Sequence, residues 1–180
     1  MNLILNFKER IAMKLIVVRH AAAVDRSTDV SEETRYLTPE GRVFFRKTAR
    51  SMLKNGVEPG LILTSPLLRA VQTADILAEM LAYSGPFVVR NELRPGFDMK
   101  GLEKLLDDYR SVDELVLVGL EPDLSTLVAF LTSRPGAFNF KKSAAVRMKI
   151  DPSNLQASTA FKWLAYGKKL VDSLDEAMAL

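Results

Sequence analysis

The stretch KLIVVRHAAA (residues 14–23) contains the only histidine of the chain, His20, directly after Arg19 and an apolar run. The run, Leu15 to Val18, is typical of a strand that is buried on both faces of a sheet. The polar residues that follow it therefore lie at the carboxyl end of this strand. His20 is either a functional residue or a polar residue at the end of a buried strand, and the stretch alone leaves both interpretations open.

Further apolar runs of the same kind follow along the chain. They are LILTS (61–65), PFVVR (86–90) and ELVLVG (114–119). The first connecting helix is marked by Thr38 as N-cap, Pro39 at the first helical position and Gly56 as the stop. Ser65 as N-cap and Pro66 at the first helical position predict the start of a second helix in the same way.

The last third of the chain continues this alternation. A helix is predicted to begin near Pro122, and two strands, SAAVRMKI (143–150) and ASTAFKWLAY (157–166), flank a turn at Asp151 to Asn154. A closing helix is expected from about Gly167. We therefore expect an α/β fold, a three-layer α/β/α sandwich with a mostly parallel sheet, as a single domain over residues 13–180.

Residues 1–12 are interpreted as an N-terminal extension or a misassigned start, because MKLIVVRH has the form of a natural beginning at Met13. They do not have the pattern of a signal peptide. No stretch approaches the ~18–20 apolar residues of a membrane-spanning helix, so we expect a cytoplasmic protein without a membrane partner.

Composition excludes several classes of chemistry. The 180 residues are 48% hydrophobic and 26% charged, as in an ordinary globular domain. There is no cysteine, which excludes disulfides, thiolate metal sites and cysteine-based phosphatase chemistry. One histidine argues against a zinc site, because zinc would then have to rest on carboxylates alone, and we expect no metal site.

The net charge of +3 is modest, and the densest basic cluster is formed by Lys141, Lys142, Arg147 and Lys149. This cluster is compatible with nucleic acid binding, but we interpret it as a solvated strand face and expect no nucleic acid partner. The loop from Ala21 to Tyr36, rich in Asp, Glu, Ser and Thr, is compatible with contact to a partner, but we interpret it as solvated as well.

In open α/β sheets ligands bind beyond the carboxyl ends of the strands. The residues at or just after the carboxyl ends of the predicted strands are Arg19, His20, Thr64, Ser65, Arg69, Arg90, Glu92, Gly119, Leu120 and Glu121. Arginines, an imidazole and a helix N-terminus at one edge suit a phosphoryl group. Each residue also has a structural interpretation: Arg69 as an exposed helix residue, Glu92 as a turn residue, Ser65 as a helix cap.

Five segments resemble the histidine phosphatase superfamily, also called phosphoglycerate mutase-like, and most closely its SixA-like phosphohistidine phosphatases. They are VVRHA, LTPEGR, LTSPLLRAVQTADIL, NEL and VGLEP, in the order of the family. The resemblance extends from Met13 to about residue 166 and implies the phosphoglycerate mutase-like fold.

The resemblance also implies roles for individual residues. His20 is the expected nucleophile, Arg19 and Arg69 the expected phosphate-binding arginines with Ser65 beside them, and Glu92 a candidate general acid. The motif at the fourth strand reads Val-Gly-His-Glu-Pro in the family, whereas this chain reads VGLEP, so Leu120 occupies the place of a second histidine. By analogy with the loss of one oxyanion-hole donor, we expect a rate penalty of roughly 10²–10³.

Two functions from different classes follow. The first is a phosphatase that removes phosphate from phosphohistidine in a protein, or from another phosphoester, through a phosphorylated His20. The second is a catalytically impaired module that binds a phosphorylated protein or metabolite. A small-molecule phosphomonoesterase or mutase is a weaker third interpretation, and no G-x-x-x-x-G-K-[ST] phosphate loop occurs.

Overall fold

The computed structural model describes residues 12–136 and 138–180. The expectation for residues 1–12 lies outside the described residues except at Ala12, and it stays a prediction. No helix in the described part of the chain is both long and apolar enough to cross a membrane.

The described residues form a seven-stranded sheet with helices on both faces. Its strands are β1 (Met13–Arg19), β2 (Leu61–Thr64), β3 (Phe87–Val89), β4 (Glu114–Gly119), β5 (Ala145–Ile150), β6 (Ala160–Tyr166) and β7 (Lys169–Val171). The helices are α1 (Pro39–Lys54), α2 (Leu68–Met80), α3 (Met99–Asp108), α4 (Asp123–Leu131), α5 (Leu155–Ser158) and α6 (Leu174–Ala179), with a short 3-10 helix at Asn91–Leu93.

The strand order is β3-β2-β4-β1-β5-β6-β7. The first four strands in this order are mutually parallel, β5 is antiparallel to β1, and β6 and β7 follow in antiparallel pairing. β6 therefore has the direction of β1, and only β5 and β7 oppose it among the described strands. The predicted α/β fold with a mostly parallel sheet is confirmed.

Alternate residues of β1 face two separate apolar clusters. Leu15 and Val17 pack in the cluster that includes α3 and α4, whereas Ile16 and Val18 pack in the cluster that includes α1 and α2. A strand covered by helices on both faces must be apolar at every position, which explains the continuous run in the sequence.

The first helix begins and ends as predicted. The Thr38 hydroxyl oxygen accepts a hydrogen bond from the Gly41 amide, and Pro39 is the first helical residue. Gly56 follows the helix end with a φ of +68°, a conformation that favours glycine. A Cβ at Gly41 would lie 2.2 Å from the Ala22 carbonyl oxygen, so this glycine lets α1 approach the loop that follows β1.

Three predicted boundaries were wrong. The second helix begins at Leu68, not at Ser65, because the Ser65 amide still donates to the Val118 carbonyl oxygen and keeps Ser65 at the sheet. The closing helix does not begin near Gly167, because the chain turns there with a φ of +61° and returns as β7. The short helix α5 also includes Ala157 and Ser158, which were predicted as strand, so that β6 begins only at Ala160.

The basic cluster of the sequence is divided by the fold. Lys141 and Lys142 precede β5 at the end of the sheet that holds His20, whereas Arg147 lies within β5 and donates to Glu114 at 2.5 Å. Lys149 is further along β5, opposite Lys14. The four cations therefore do not form one surface.

Candidate active site

His20 is the first residue after β1, at the edge of the sheet where the parallel strands have their carboxyl ends. The register pairs Arg19 with Gly119, so His20 and Leu120 leave neighbouring strands side by side. Ser65 leaves the next strand at the same edge, because Thr64 is paired with Val118. The sequence prediction that these ends meet is confirmed by the register.

The backbone of His20 is held on two sides. Its amide donates to the Gly119 carbonyl oxygen at 3.1 Å, and its carbonyl oxygen accepts from the Ser143 amide at 3.2 Å. The side chain is only 6% exposed. The main chain of His20 is therefore anchored by β4 and by the segment that precedes β5.

Both ring nitrogens of His20 have defined partners. Nδ1 lies 2.7 Å from the Ala21 carbonyl oxygen, which can only accept, so Nδ1 carries the hydrogen. In the neutral ring Nε2 then holds the lone pair, and it accepts a hydrogen bond from Arg69 Nε at 3.3 Å. This tautomer is the one in which Nε2 can act as a nucleophile.

The electrostatic surroundings keep this ring neutral. Burial lowers the pKa of His20 to about 3, and the positive charges of Arg69, Arg19 and Lys142 act in the same direction. The hydrogen bond to Ala21 opposes this effect without cancelling it. At neutral pH the imidazole is therefore uncharged.

Ala21 is itself fixed by a residue of α2. Its amide donates to the Thr73 hydroxyl at 3.1 Å, and that hydroxyl donates to the Arg69 carbonyl oxygen at 2.7 Å. The Ala21 carbonyl group that orients the imidazole is thus tied to the helix that carries Arg69. Sequence reasoning did not single out Thr73, although its position one helical turn after Arg69 places both on one face.

Arg69 is the second residue of α2 and is 4% exposed. In addition to its bond to His20, it donates from one terminal nitrogen to the Glu32 main-chain oxygen at 2.7 Å and from the other to Glu32 Oε1 at 2.7 Å. Burial lowers the pKa of Arg69, and Glu32 opposes that effect. Arg69 is therefore buried against His20 and is not an exposed helix residue.

Arg19 is half-buried and donates to the Phe140 carbonyl oxygen at 2.5 Å. Its Nε is buried and has no hydrogen-bond partner among the described residues. Buried donors are nearly always paired, so an orphaned cationic N–H marks a place where an acceptor is missing. A phosphoryl oxygen is the kind of acceptor that pairs with such an N–H.

Ser65 and Leu120 are the uncharged residues at this edge of the sheet. Ser65 is fully buried, and its hydroxyl oxygen lies 3.4 Å from the Leu67 amide nitrogen, which donates to it. Leu120 is 4% exposed and is not part of either of the two apolar clusters formed by the described residues. A leucine side chain at this position offers no hydrogen-bond donor to a ligand.

Glu92 lies in the short 3-10 helix and is engaged elsewhere. Both of its carboxylate oxygens accept from Arg90, at 2.9 and 3.0 Å, and Lys104 also pairs with it. Arg90 first, and then Lys104, hold the pKa of Glu92 well below its ordinary value. A carboxyl group that is ionised at neutral pH has no proton to donate, so this geometry does not favour a general acid at Glu92.

Two acidic residues lie near the site, and of these Glu121 was expected at this edge of the sheet, whereas Glu32 was not predicted. Glu32, in the loop interpreted as solvated, contacts Arg69 directly. Glu121 follows Leu120, caps α4 through the Ser125 amide at 3.1 Å, and has its pKa raised by burial. Within the described residues, no three His, Cys, Asp or Glu side chains are grouped as ligands for a metal ion.

Comparisons with known proteins agree with this arrangement. Residues 15–105 match the model of the histidine phosphatase superfamily (branch 1). The chain belongs to the histidine phosphatase superfamily. An uncharacterized protein of Picosynechococcus sp. is 32% identical over 151 residues, which cover 82% of this chain and 91% of that protein.

Solved structures place the chain near the SixA-like branch of this superfamily. The protein histidine phosphatase SixA complexed with tungstate is 27% identical, with a TM-score of 0.75 over 86% of this chain and 97% of that chain. The alpha-ribazole phosphatase from Shigella flexneri shares the fold at 17% identity, with a TM-score of 0.64 over 86% of this chain and 96% of that chain. The first of these structures is a protein histidine phosphatase, which supports a general role in phosphoryl hydrolysis for this chain.

Proposed function

We propose that this protein is a phosphohistidine phosphatase that acts through a phosphorylated His20. The observation that carries the proposal is the neutral His20 ring, whose Nδ1 is bound by Ala21 and whose Nε2 lies beside Arg69. The similarity to SixA supports phosphohistidine in a protein as the substrate class.

The reaction has two displacement steps. In the first, the Nε2 lone pair forms a bond to phosphorus while the bond between phosphorus and the substrate imidazole breaks; the imidazole leaves with the electron pair of that bond and keeps the proton that it already carries on its other nitrogen. In the second, a water oxygen forms a bond to phosphorus, the bond to Nε2 breaks, and inorganic phosphate departs with neutral His20 restored. No cofactor is required.

The transition state of each step spreads negative charge over three equatorial oxygens, and catalysis consists mainly of positioning and electrostatic stabilisation. The unpaired Nε of Arg19 and the guanidinium of Arg69 are suited to these oxygens. Two arginines that approach from different elements, β1 and α2, hold the group in one orientation.

Leu120 lowers the expected rate but does not remove the nucleophile. A histidine at this position would have donated a further charged hydrogen bond, and its loss costs roughly 10²–10³ in rate by analogy with an oxyanion-hole donor. A phosphohistidine substrate is the least affected, because an imidazole leaves readily once it is protonated. This reason favours phosphohistidine over a phosphomonoester.

The buried Leu120 favours one alternative, a catalytically impaired protein that binds a phosphoprotein or a small phosphoester without efficient turnover. A phosphomonoesterase of small molecules is a weaker alternative, supported only by the shared fold of the alpha-ribazole phosphatase. A cytoplasmic location and a single domain over residues 13–180 accompany the proposal as predictions.

Quenched-flow labelling tests the proposal directly. The protein is mixed with phosphoramidate, and acid-labile protein phosphate and released phosphate are followed together in the wild type and in His20→Ala. Since the chain has one histidine, any phosphohistidine formed lies at His20. Label that forms and turns over supports the phosphatase; label that persists, or binding without label, supports the impaired binder.

A further inference from the structure

Glu32, in the loop that connects β1 to α1, pairs with Arg26 and Arg35 of the same loop and with Arg69 of α2. Its carboxylate accepts from Arg69 at 2.7 Å, from Arg26 Nε at 2.9 Å and from Arg35 at 3.1 Å to each oxygen. Hydrogen bonds from Arg26 and Arg35, together with the charge of Arg69, lower the pKa of Glu32 to about 2. The group is therefore an anion at physiological pH, held against a site that is suited to anions.

The contacts of Glu32 determine the position of Arg69. One terminal nitrogen of Arg69 donates to the Glu32 carboxylate, the other donates to the Glu32 main-chain oxygen, and Nε donates to His20 Nε2. The lone pair that would attack phosphorus is thus occupied by a hydrogen bond. Arg69 must move away from Nε2 before a phosphoryl group can reach it, and Glu32 holds Arg69 in place.

We propose that Glu32 is a latch that keeps Arg69 on His20 in the empty site and competes with the phosphoryl group for that guanidinium. This inference rests on the proposed function of His20. Carboxylate and phosphoryl oxygens are both anionic acceptors for a guanidinium, so an incoming phosphoryl group replaces one charge-assisted pair with another. The apparent affinity for the anion is then the intrinsic affinity multiplied by the fraction of molecules in which the latch is open.

The opposing interpretation is that Glu32 only positions Arg69 for the ligand, and the two differ in sign. If Glu32 is a latch, its removal strengthens anion binding. If Glu32 is a permanent support, its removal weakens anion binding because Arg69 loses its orientation.

The experiment measures tungstate binding by calorimetry in the full chain, with Glu32→Gln as the test and Glu33→Gln as the matched control. Glu33 is in the same loop and carries the same charge, but its carboxylate pairs with Arg94 at 2.8 Å and not with Arg69. We expect Glu32→Gln to bind tungstate roughly fivefold more tightly or better, in the range of ordinary coupling energies. Glu33→Gln should bind as the wild type does.

The conservative variant Glu32→Asp separates the effect of the negative charge from the effect of side-chain length. Glu32→Asp keeps the negative charge but shortens the side chain by one methylene, and its affinity should lie between those of the wild type and Glu32→Gln. In phosphoramidate labelling, a latch predicts a lower half-saturating donor concentration for Glu32→Gln. A merely structural role would not improve either value, and thermal unfolding of each variant confirms that it is folded.

The results separate the latch from the proposed function. Weaker tungstate binding by Glu32→Gln, or a change equal to that of Glu33→Gln, overturns the latch. Absence of tungstate binding in the wild type and in folded Glu32→Gln overturns the latch too, because the site is then not an anion site. Tighter tungstate binding without any label on His20 upholds the latch and overturns the phosphatase.

Discussion

His20 and Leu120 follow the register pair Arg19–Gly119 and leave two adjacent parallel strands side by side. The His20 amide also donates to the Gly119 carbonyl oxygen at 3.1 Å, which fixes the two chain segments to each other. A side chain at position 120 is therefore a neighbour of the candidate nucleophile. The histidine phosphatase pattern has a second histidine here, and this chain has a buried leucine.

The substitution Leu120→His should restore the missing donor. We expect the release of phosphate from phosphorylated His20 to become roughly 10²–10³-fold faster, because a donor to the transferred group is regained. Single-turnover quenched flow with phosphoramidate measures this step. The control, Leu120→Met, changes the packing without adding a charged donor and should remain near the wild-type rate; equal acceleration in both variants would assign the effect to packing.

The buried His20 should make the protein less stable as the pH falls. Its pKa is about 3 in the folded protein, against an ordinary value near 6.5, so between these values the unfolded state binds a proton that the folded state does not. Stability that is present above pH 6.5 is thus lost progressively on acidification. From pH 8 to pH 5 the loss from this one group is about 2 kcal/mol.

Urea unfolding of the wild type and of His20→Gln over this pH range isolates the contribution, because the carboxylates titrate in both proteins. The difference in unfolding free energy between the two should change by about that amount. Parallel pH dependences would show that His20 titrates in the folded protein at its ordinary pKa. The same neutral ring predicts that the rate of His20 labelling shows no titration near pH 6.5.

The Thr73 hydroxyl should be required for the geometry of the site. Thr73→Val keeps the shape of the side chain but leaves the buried Ala21 amide without its acceptor, which costs about 1–3 kcal/mol of unfolding free energy. Thr73→Ser retains the hydroxyl and serves as the control. We expect Thr73→Val, measured by urea unfolding and His20 labelling, to lose both stability and rate, and Thr73→Ser to keep most of both.

Glu92→Gln should leave the chemistry nearly unchanged. Glu92 is ionised and paired with Arg90 and Lys104, so it has no proton to supply at neutral pH. We expect the labelling and release rates to change by less than about twofold, with a stability loss below about 1 kcal/mol from the broken ion pairs. A large fall in the release rate, confined to the pH range in which a general acid acts, would restore the catalytic assignment of Glu92.

Part of the site could be predicted from sequence because it depends on local pattern. The apolar runs identify the strands, and parallel strands share an edge, so the proximity of Arg19, His20, Ser65 and Leu120 follows from the order of elements. The boundaries that failed, at Ser65 and at Gly167, were decided by contacts with other strands. Ser65 stays bonded to Val118 of β4, and the chain after Gly167 pairs with β6.

By itself, the sequence determined the α/β layering, the lone histidine at a strand end and the leucine beside it, because these depend on hydrophobic periodicity and residue type. The tertiary structure alone decided which atoms face the imidazole. The Arg69–Glu32 pair spans 37 residues, the Ala21–Thr73 bond 52, and the Arg19–Phe140 bond 121. Such contacts arise when packing brings distant segments together and buried charges must find partners, a condition that no local pattern records.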